Sequence, residues 1–342
     1  MSRGSPQASK LVFCRKTSLE IAHSFNDART DATRSPLSAL PKHPPSDLAL
    51  EQIAGRLSAA TPPTRFSFPA HLLFHGGAHH KQTSLRLPHR CTSFPKGRHF
   101  LKVAKNVYAV STNFALCQMA DETKEMLDLL LLLWEACGTY RTDLTWMENA
   151  YDTAPATSVR SLSRFVSENP KIHGAGKIRR ILRYVRDGSA SARETQIALF
   201  LGLPAHYGGF NLGLPQMNHR VDSSPEARLI GGRSHFRCDL CWPDQKIDVE
   251  YQSDESHEGK IMRIKDSRRT NALISMGWHV VNVTNNEAQS VTTLEQIAEH
   301  VRMLLRKRSH PATHELSIKR LHLHRRLGVA QDSLAVPPSF HQ

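Results

Sequence analysis

The sequence predicts an α/β protein: a C-terminal domain with a mixed central sheet flanked by helices, preceded by a mixed α/β N-terminal region. Three observations predict it. Strand-like alternation runs from His235 to Gln252. A helical pattern then ends at Gly277, and the apolar run Trp278–Val283 follows it. Ahead of both, Ser191-Ala192-Arg193-Glu194 opens a helix. Alternation at a period of two marks strands, and an apolar stripe at 3.6 marks helices.

The leading helix runs through Leu201. Ser followed three residues later by Glu is a capping box, which by itself accounts for Glu194. A Gly- and Pro-rich loop, LGLPAHYGGFNLGLPQ, and a short strand at Met217–Val221 come next. Trp242-Pro243-Asp244-Gln245 reads as a turn, with Pro pre-set for its second position. If Pro243 and Asp244 are the central pair, residue 239 faces 248 and Glu250 faces Arg237. Glu250 is then diagonal to Asp239, roughly 7–8 Å away at the backbone. Phe236, Cys238, Leu240 and Trp242 share one face with Ile247, Val249 and Tyr251. Arg237, Asp239, Asp248, Glu250 and Gln252 share the other. A polar face also arises wherever a sheet meets water, with Arg237 and Glu250 a plain ion pair.

Met262, Asp266, Arg269, Leu273 and Met276 fall on one face of the next helix. Asp266 and Arg269, three apart, are placed to pair. Gly277 supplies a left-handed cap. Trp278–Val283 is expected as a buried strand. Thr293 and Gln296 open a last helix as a capping box, with a stripe of Leu294, Ile297, Ala298, Val301, Leu304 and Leu305.

The order helix, three strands, helix, strand, helix, with these residues, resembles the PD-(D/E)XK nuclease superfamily, in its branch similar to the very-short-patch-repair (Vsr) endonucleases. The likeness covers roughly residues 189–306. It rests on Glu194, Asp239 in RCDLCWP, Glu250 in VEYQSD, His257, Asp266 and Arg269 in KDSRRTNAL, and Gly277-Trp278. It implies a restriction-endonuclease-like domain hydrolysing DNA phosphodiester bonds with Mg²⁺ or Mn²⁺. Asp239 and Glu250 would be ligands, and Glu194 would hold a second ion or a ligating water. The superfamily usually has Lys two residues after the Glu, and here Gln252 stands there. Gln252 would orient water or phosphate, His257 would act as base or acid, and Lys260 or Lys265 would supply the missing charge. The upstream segments VYAVSTNFALCQMA and LLLLLWEACGTY resemble the region preceding this domain in certain actinobacterial proteins, loosely similar to AbiEi-type antitoxins of toxin-antitoxin systems.

The charge balance fits a polyanionic partner. Lys and Arg number 45 against 31 acids, a net charge of +14, and the isoelectric point is near 9.8. Such a surface gains sequence-independent affinity for DNA by releasing counterions. One cluster joins Lys171, Lys177, Arg179, Arg180, Arg183, Arg186 and Arg193. Another joins Arg302, Arg306, Lys307, Arg308, Lys319, Arg320, Arg325 and Arg326. Arg179, Arg180, Arg183, Arg193, Lys260 and Lys265 are the candidate DNA contacts.

At 342 residues the chain allows two domains. We expect an N-terminal region over 1–188, a nuclease-like domain over 189–307, and a basic, loosely ordered tail over 308–342. Residues 29–46 are rich in Pro, Ser and polar side chains, as expected of loose chain. The polar N-terminus predicts no leader, and the longest apolar run, Leu129–Trp134, is too short for a membrane span. That run belongs to a helix expected from Asp121 to Gly138. The six cysteines are scattered, so reduced thiols and a cytoplasmic setting are the expectation. Cys238 and Cys241 have zinc-like spacing but no second pair, and on a regular strand they point to opposite faces, so they read as packing residues.

Two function classes follow. One is a metal-dependent endodeoxyribonuclease. The other is a non-catalytic DNA-binding regulator or antitoxin with a decayed site, consistent with Gln252. A third reading, a protein partner engaged through the N-terminal region, rests on no motif, and no helix-turn-helix is discernible there.

Overall fold

The structure is a computed structural model. It describes residues 10–24, 34–35, 40–61, 63–76, 80–97, 99–142, 149–252, 260–309 and 313–328. They form two compact units, one of residues 10–136 and 141–183, the other of residues 137–140 and 184–328.

The first unit is built on a mixed six-stranded sheet. Its strands are β1 (Leu11–Phe13), β2 (Arg34–Ser35), β3 (Ala70–Phe74), β4 (Arg86–Arg90), β5 (Phe100–Ala104) and β6 (Val107–Val110), in the order β2-β5-β6-β1-β3-β4. β1 runs parallel to β6, and β3 parallel to β4. Among the described residues six α-helices accompany them: α1 (Arg15–Ser24), α2 (Asp47–Ser58), α3 (Thr112–Glu122), α4 (Met126–Cys137), α5 (Val159–Glu168) and α6 (Ala175–Ile181). Leu11, Phe13, Leu50, Leu72, Leu101 and Ala109 pack into one buried core. The single helix expected over 121–138 is in fact the end of α3 and the whole of α4. Thr123 causes the break: its backbone is extended, and its hydroxyl donates to the carbonyl of Met119 at 2.8 Å.

The second unit carries a mixed four-stranded sheet of β7 (Gln216–Asp222), β8 (His235–Trp242), β9 (Ile247–Gln252) and β10 (His279–Thr284), in the order β10-β9-β8-β7. β9 and β10 are parallel, and the other pairs are antiparallel. Parallel neighbours need a crossover, and α9 (Lys260–Ser275) supplies it. Around the sheet lie α7 (Ala192–Gly202), α8 (Pro225–Gly231), α10 (Asn285–Gln289), α11 (Val291–Leu304) and α12 (His314–Arg326). Gly277 takes the left-handed conformation at φ 80° and ends α9 as expected.

Several expectations need correction. β10 is an edge strand whose residues are mostly half-exposed, with Val283 buried. The buried apolar group there is Trp278, just before the strand. The capping box belongs to Thr284 and Glu287 at the start of α10, while α11 is capped by Ser290, which accepts from the Thr293 N–H. The tail expected over 308–342 contains α12, whose Leu323 and His324 are buried. Arg320 lies 3.8 Å over the Phe210 ring, and His324 Nε2 is 3.0 Å from the Ala288 carbonyl. Among the described residues no helix is long and apolar enough to cross a membrane.

Candidate metal centre and its acidic surroundings

The hairpin register differs from the expected one by two residues. Leu240 pairs with Val249, Cys241 with Asp248 and Trp242 with Ile247. The turn takes four residues because Lys246 adopts a left-handed φ of 52° and donates its N–H to Pro243. A shift of two preserves the faces but changes the partners. Continuing the register places Asp239 opposite Glu250, rather than Arg237. The Tyr251 N–H donates to Asp239 Oδ2 at 3.0 Å, tying the two strands at that level.

The alternation of β8 breaks at this point. Phe236, Cys238 and Cys241 share one apolar cluster with Ala272 and Leu273 of α9 and with Trp278. Residues 238 and 241 cannot share a face on a regular strand. Their common burial therefore marks a local irregularity around Asp239, and the expectation that the two cysteines diverge is wrong. On β7 the residue at the same level is Asn218, in the left-handed region at φ 49°. Its amide donates to Glu194 Oε2 at 2.7 Å and to the Gly188 carbonyl at 3.0 Å.

Cys241 and Asp248 are directly opposed, so they point the same way, under α9. Asp248 is 0 % exposed and Glu250 6 %. The expected solvent-facing acidic face is thus a buried acidic layer. Arg269 reaches down from α9 and holds Glu250 with both terminal nitrogens, one of the bonds being 2.5 Å. It also donates to the Arg237 carbonyl. Asp266 is exposed, so the expected Asp266–Arg269 pair gives way to Arg269–Glu250. Three residues along a helix, Asp266 looks outward while Arg269 looks at the sheet.

The charges here are mutually unfavourable. Burial, then Glu250 and then Glu194, push the Asp239 carboxyl up to about 8. Burial and Glu250 raise Asp248 as well. Burial raises Glu194, against donors from Ala190, Asn218 and Ser191. The Cys238 thiol is raised by its hydrogen bond to Cys241 and by burial. Burial works against the charge on Arg269, but Glu250, Asp239 and Asp248 together outweigh it and the guanidinium is raised.

Ser191 caps α7, its Oγ accepting the Glu194 N–H and donating to Glu194 Oε1, each at 3.1 Å, but the Glu194 side chain takes the Ala190 N–H rather than that of Ser191, so the expected capping box is only half formed. Gln252 and Lys265 are exposed. His257 lies outside the described residues, as does the side chain of Lys260. Arg179, Arg180 and Arg183 are exposed, and Arg193 is half-buried with a bond to Gln196. In the second basic cluster Arg302 and Arg320 are buried, at 4 % and 6 % exposure. Arg302 serves the carbonyls of Phe210 and Arg308.

Cys238, Asp248 and Glu250 are positioned to hold a metal ion, with donor atoms all within 4.8 Å of one another. Both Asp248 oxygens are buried without a hydrogen-bond partner, which suits a cation. Sequence reasoning missed Asp248 and Cys238 as donors and Asn218 as a support. An acid two residues before Glu250 on the same strand was the available signal for Asp248. For Asn218 it was an Asn in mid-strand, a residue type that tolerates the left-handed region.

No family model matches the chain, and no solved structure does. Two proteins called uncharacterized, from two strains of Mycobacterium tuberculosis, are each 25% identical over 127 residues. The aligned part spans 36% of this chain and 41% of each relative.

Proposed function

We propose that the second unit is a metal-dependent endodeoxyribonuclease of the PD-(D/E)XK type, hydrolysing DNA phosphodiester bonds. The observation that carries the reading is a convergence. Glu194 from α7 and Glu250 from β9 both act on Asp239 of β8, and with its burial as the larger cause they push its carboxyl up to about 8. Three carboxylates brought together from three elements, with a fourth at Asp248, call for more positive charge than Arg237 and Arg269 provide. The element order and the parallel β9–β10 pair joined through α9 agree with the resemblance.

In this reading Asp239 and Glu250 are the ligands of Mg²⁺ or Mn²⁺, and Glu194 lies beside them. A bound divalent ion would polarise the scissile phosphate and lower the pKa of its water. Asn218 holds Glu194 in place, and Arg269 fixes Glu250. Exposed Gln252 is a neutral group for orienting phosphate or water. Arg179, Arg180 and Arg183 belong to the first unit and give DNA a charged surface to approach.

A second reading, the non-catalytic DNA-binding regulator, is favoured by one observation: Arg269 already occupies both oxygens of Glu250. An arginine in that position can stand in for a lost cation. Titrating Mn²⁺ into the wild type, into Glu250→Gln and into Asp239→Asn by calorimetry separates the two. Heat in the wild type that Glu250→Gln and Asp239→Asn both abolish supports the nuclease. Absent heat in all three supports the regulator.

A further inference from the structure

We propose that Cys238, Asp248 and Glu250, with Cys241 packed beside them, form a buried centre for a thiolate-accepting divalent cation, Zn²⁺ foremost. It shares only Glu250 with the proposed catalytic pair and does not depend on that reading.

Geometry is the first argument. Cys238 Sγ and one oxygen each of Asp248 and Glu250 all lie within 4.8 Å of one another, and all three residues are buried. The irregularity at Asp239 brings Cys241 into the same cluster as Cys238. The strand register sets Cys241 directly across from Asp248. One thiol and two carboxylates thus converge from two neighbouring strands, three protein donors that leave the fourth position of a tetrahedral site to water.

Asp248 is the second argument. It is fully buried, and its oxygens accept no hydrogen bond of ordinary geometry, with only Cys238 and Glu250 beside them. A buried carboxylate without a partner is unfavourable, and native structures satisfy such groups with donors, water or ions. Arg269 commits its two terminal nitrogens to Glu250 and the Arg237 carbonyl. Each Glu250 oxygen still has a free lone pair, since a carboxylate oxygen accepts twice.

The donors decide the metal. Mg²⁺ takes oxygen ligands and keeps its waters, whereas thiolate with carboxylate suits Zn²⁺ and its neighbours in the transition series. On loading, the Cys238 thiol releases its proton to solvent as the metal–sulfur bond forms. No group changes oxidation state.

The test uses the full chain, reduced, stripped with chelator and titrated with Co²⁺. The expected result is a one-to-one complex with a near-ultraviolet sulfur-to-cobalt charge-transfer band, displaced by Zn²⁺ and not by excess Mg²⁺. Cys238→Ser should lose that band and weaken binding at least about tenfold, the lower end of what even outer-sphere changes cost. Asp239→Asn should keep the band while losing any DNA cleavage, so the two proposals fail separately. Absence of stoichiometric binding, or a complex without the sulfur band, would overturn the centre. If Cys238→Ser does not fold, the wild-type band still decides.

Discussion

Arg269 on α9 holds Glu250 on β9 with both ends of its guanidinium, and spans from the crossover helix to the sheet in doing so. Glu250 is 8 % exposed at its side chain and Arg269 28 %. Truncating one partner of such a pair leaves the other charge buried and alone. Arg269→Ala should therefore destabilise the chain by about 3 kcal/mol, the lower end for a broken buried pair. Urea unfolding at neutral pH checks this.

Asp239 carries a pH signature. Burial with Glu250 and Glu194 sets its folded-state pKa at about 8, above the ordinary value of about 4 for an unfolded Asp. Between these values the folded chain binds the extra proton, so its stability falls as pH rises from about 4 to about 8 and levels off beyond. Asp239→Asn cannot ionise and should show a shallower decline over that window. Urea midpoints measured at intervals of pH give the answer. Equal slopes in both proteins would remove the electrostatic reading of this cluster.

Asn218 separates backbone from side-chain roles. At φ 49° an Ala in its place incurs the left-handed penalty of about 1–2 kcal/mol, which Gly avoids. Both replacements lose the bond to Glu194. Asn218→Ala should be less stable than Asn218→Gly by about 1 kcal/mol. The reverse order would show that the strand does not need this conformation.

Gly208 reports on α12. A Cβ built there would come within 2.4 Å of the Lys319 carbonyl. Gly208→Ala should push α12 away, expose the Phe210 ring under Arg320, and lower the melting temperature. A wild-type melting curve would mean that α12 does not dock there.

The strand order, the crossover helix and the Gly277 cap were legible in the sequence, because alternation and turn chemistry are local. The site was legible in part. Asp239, Glu250 and Glu194 carry the resemblance, but the irregularity at Asp239 turns Cys238 to the side of Asp248 and Glu250, which alternation assigns to the opposite face. The register itself was not legible, since it turned on Lys246 taking a left-handed conformation. Nor was the partner of Arg269: spacing permits Asp266, but helix rotation against the sheet selects Glu250. The shared side of Cys238 and Cys241 depends on an irregularity that no alternation pattern announces. Arg302 and Arg320 read as a basic surface, yet their neighbours bury them.

DNA affinity, where the first unit contributes to it, should be electrostatic and sequence-independent. Reversing Arg179, Arg180 and Arg183 together should weaken binding to unrelated duplexes alike. It should also flatten the plot of log affinity against log salt by about 0.9 for each phosphate no longer neutralised. Unchanged slopes would assign these arginines to solvent.

The central claim is metal-dependent cleavage, and nicking of supercoiled plasmid tests it most directly. Wild-type protein with Mg²⁺ or Mn²⁺ should convert plasmid to the open form, chelator should stop it, and folded Asp239→Asn should be inactive in either metal. Cleavage that persists in chelator or in Asp239→Asn, or no cleavage by the wild type in any metal, would contradict the account.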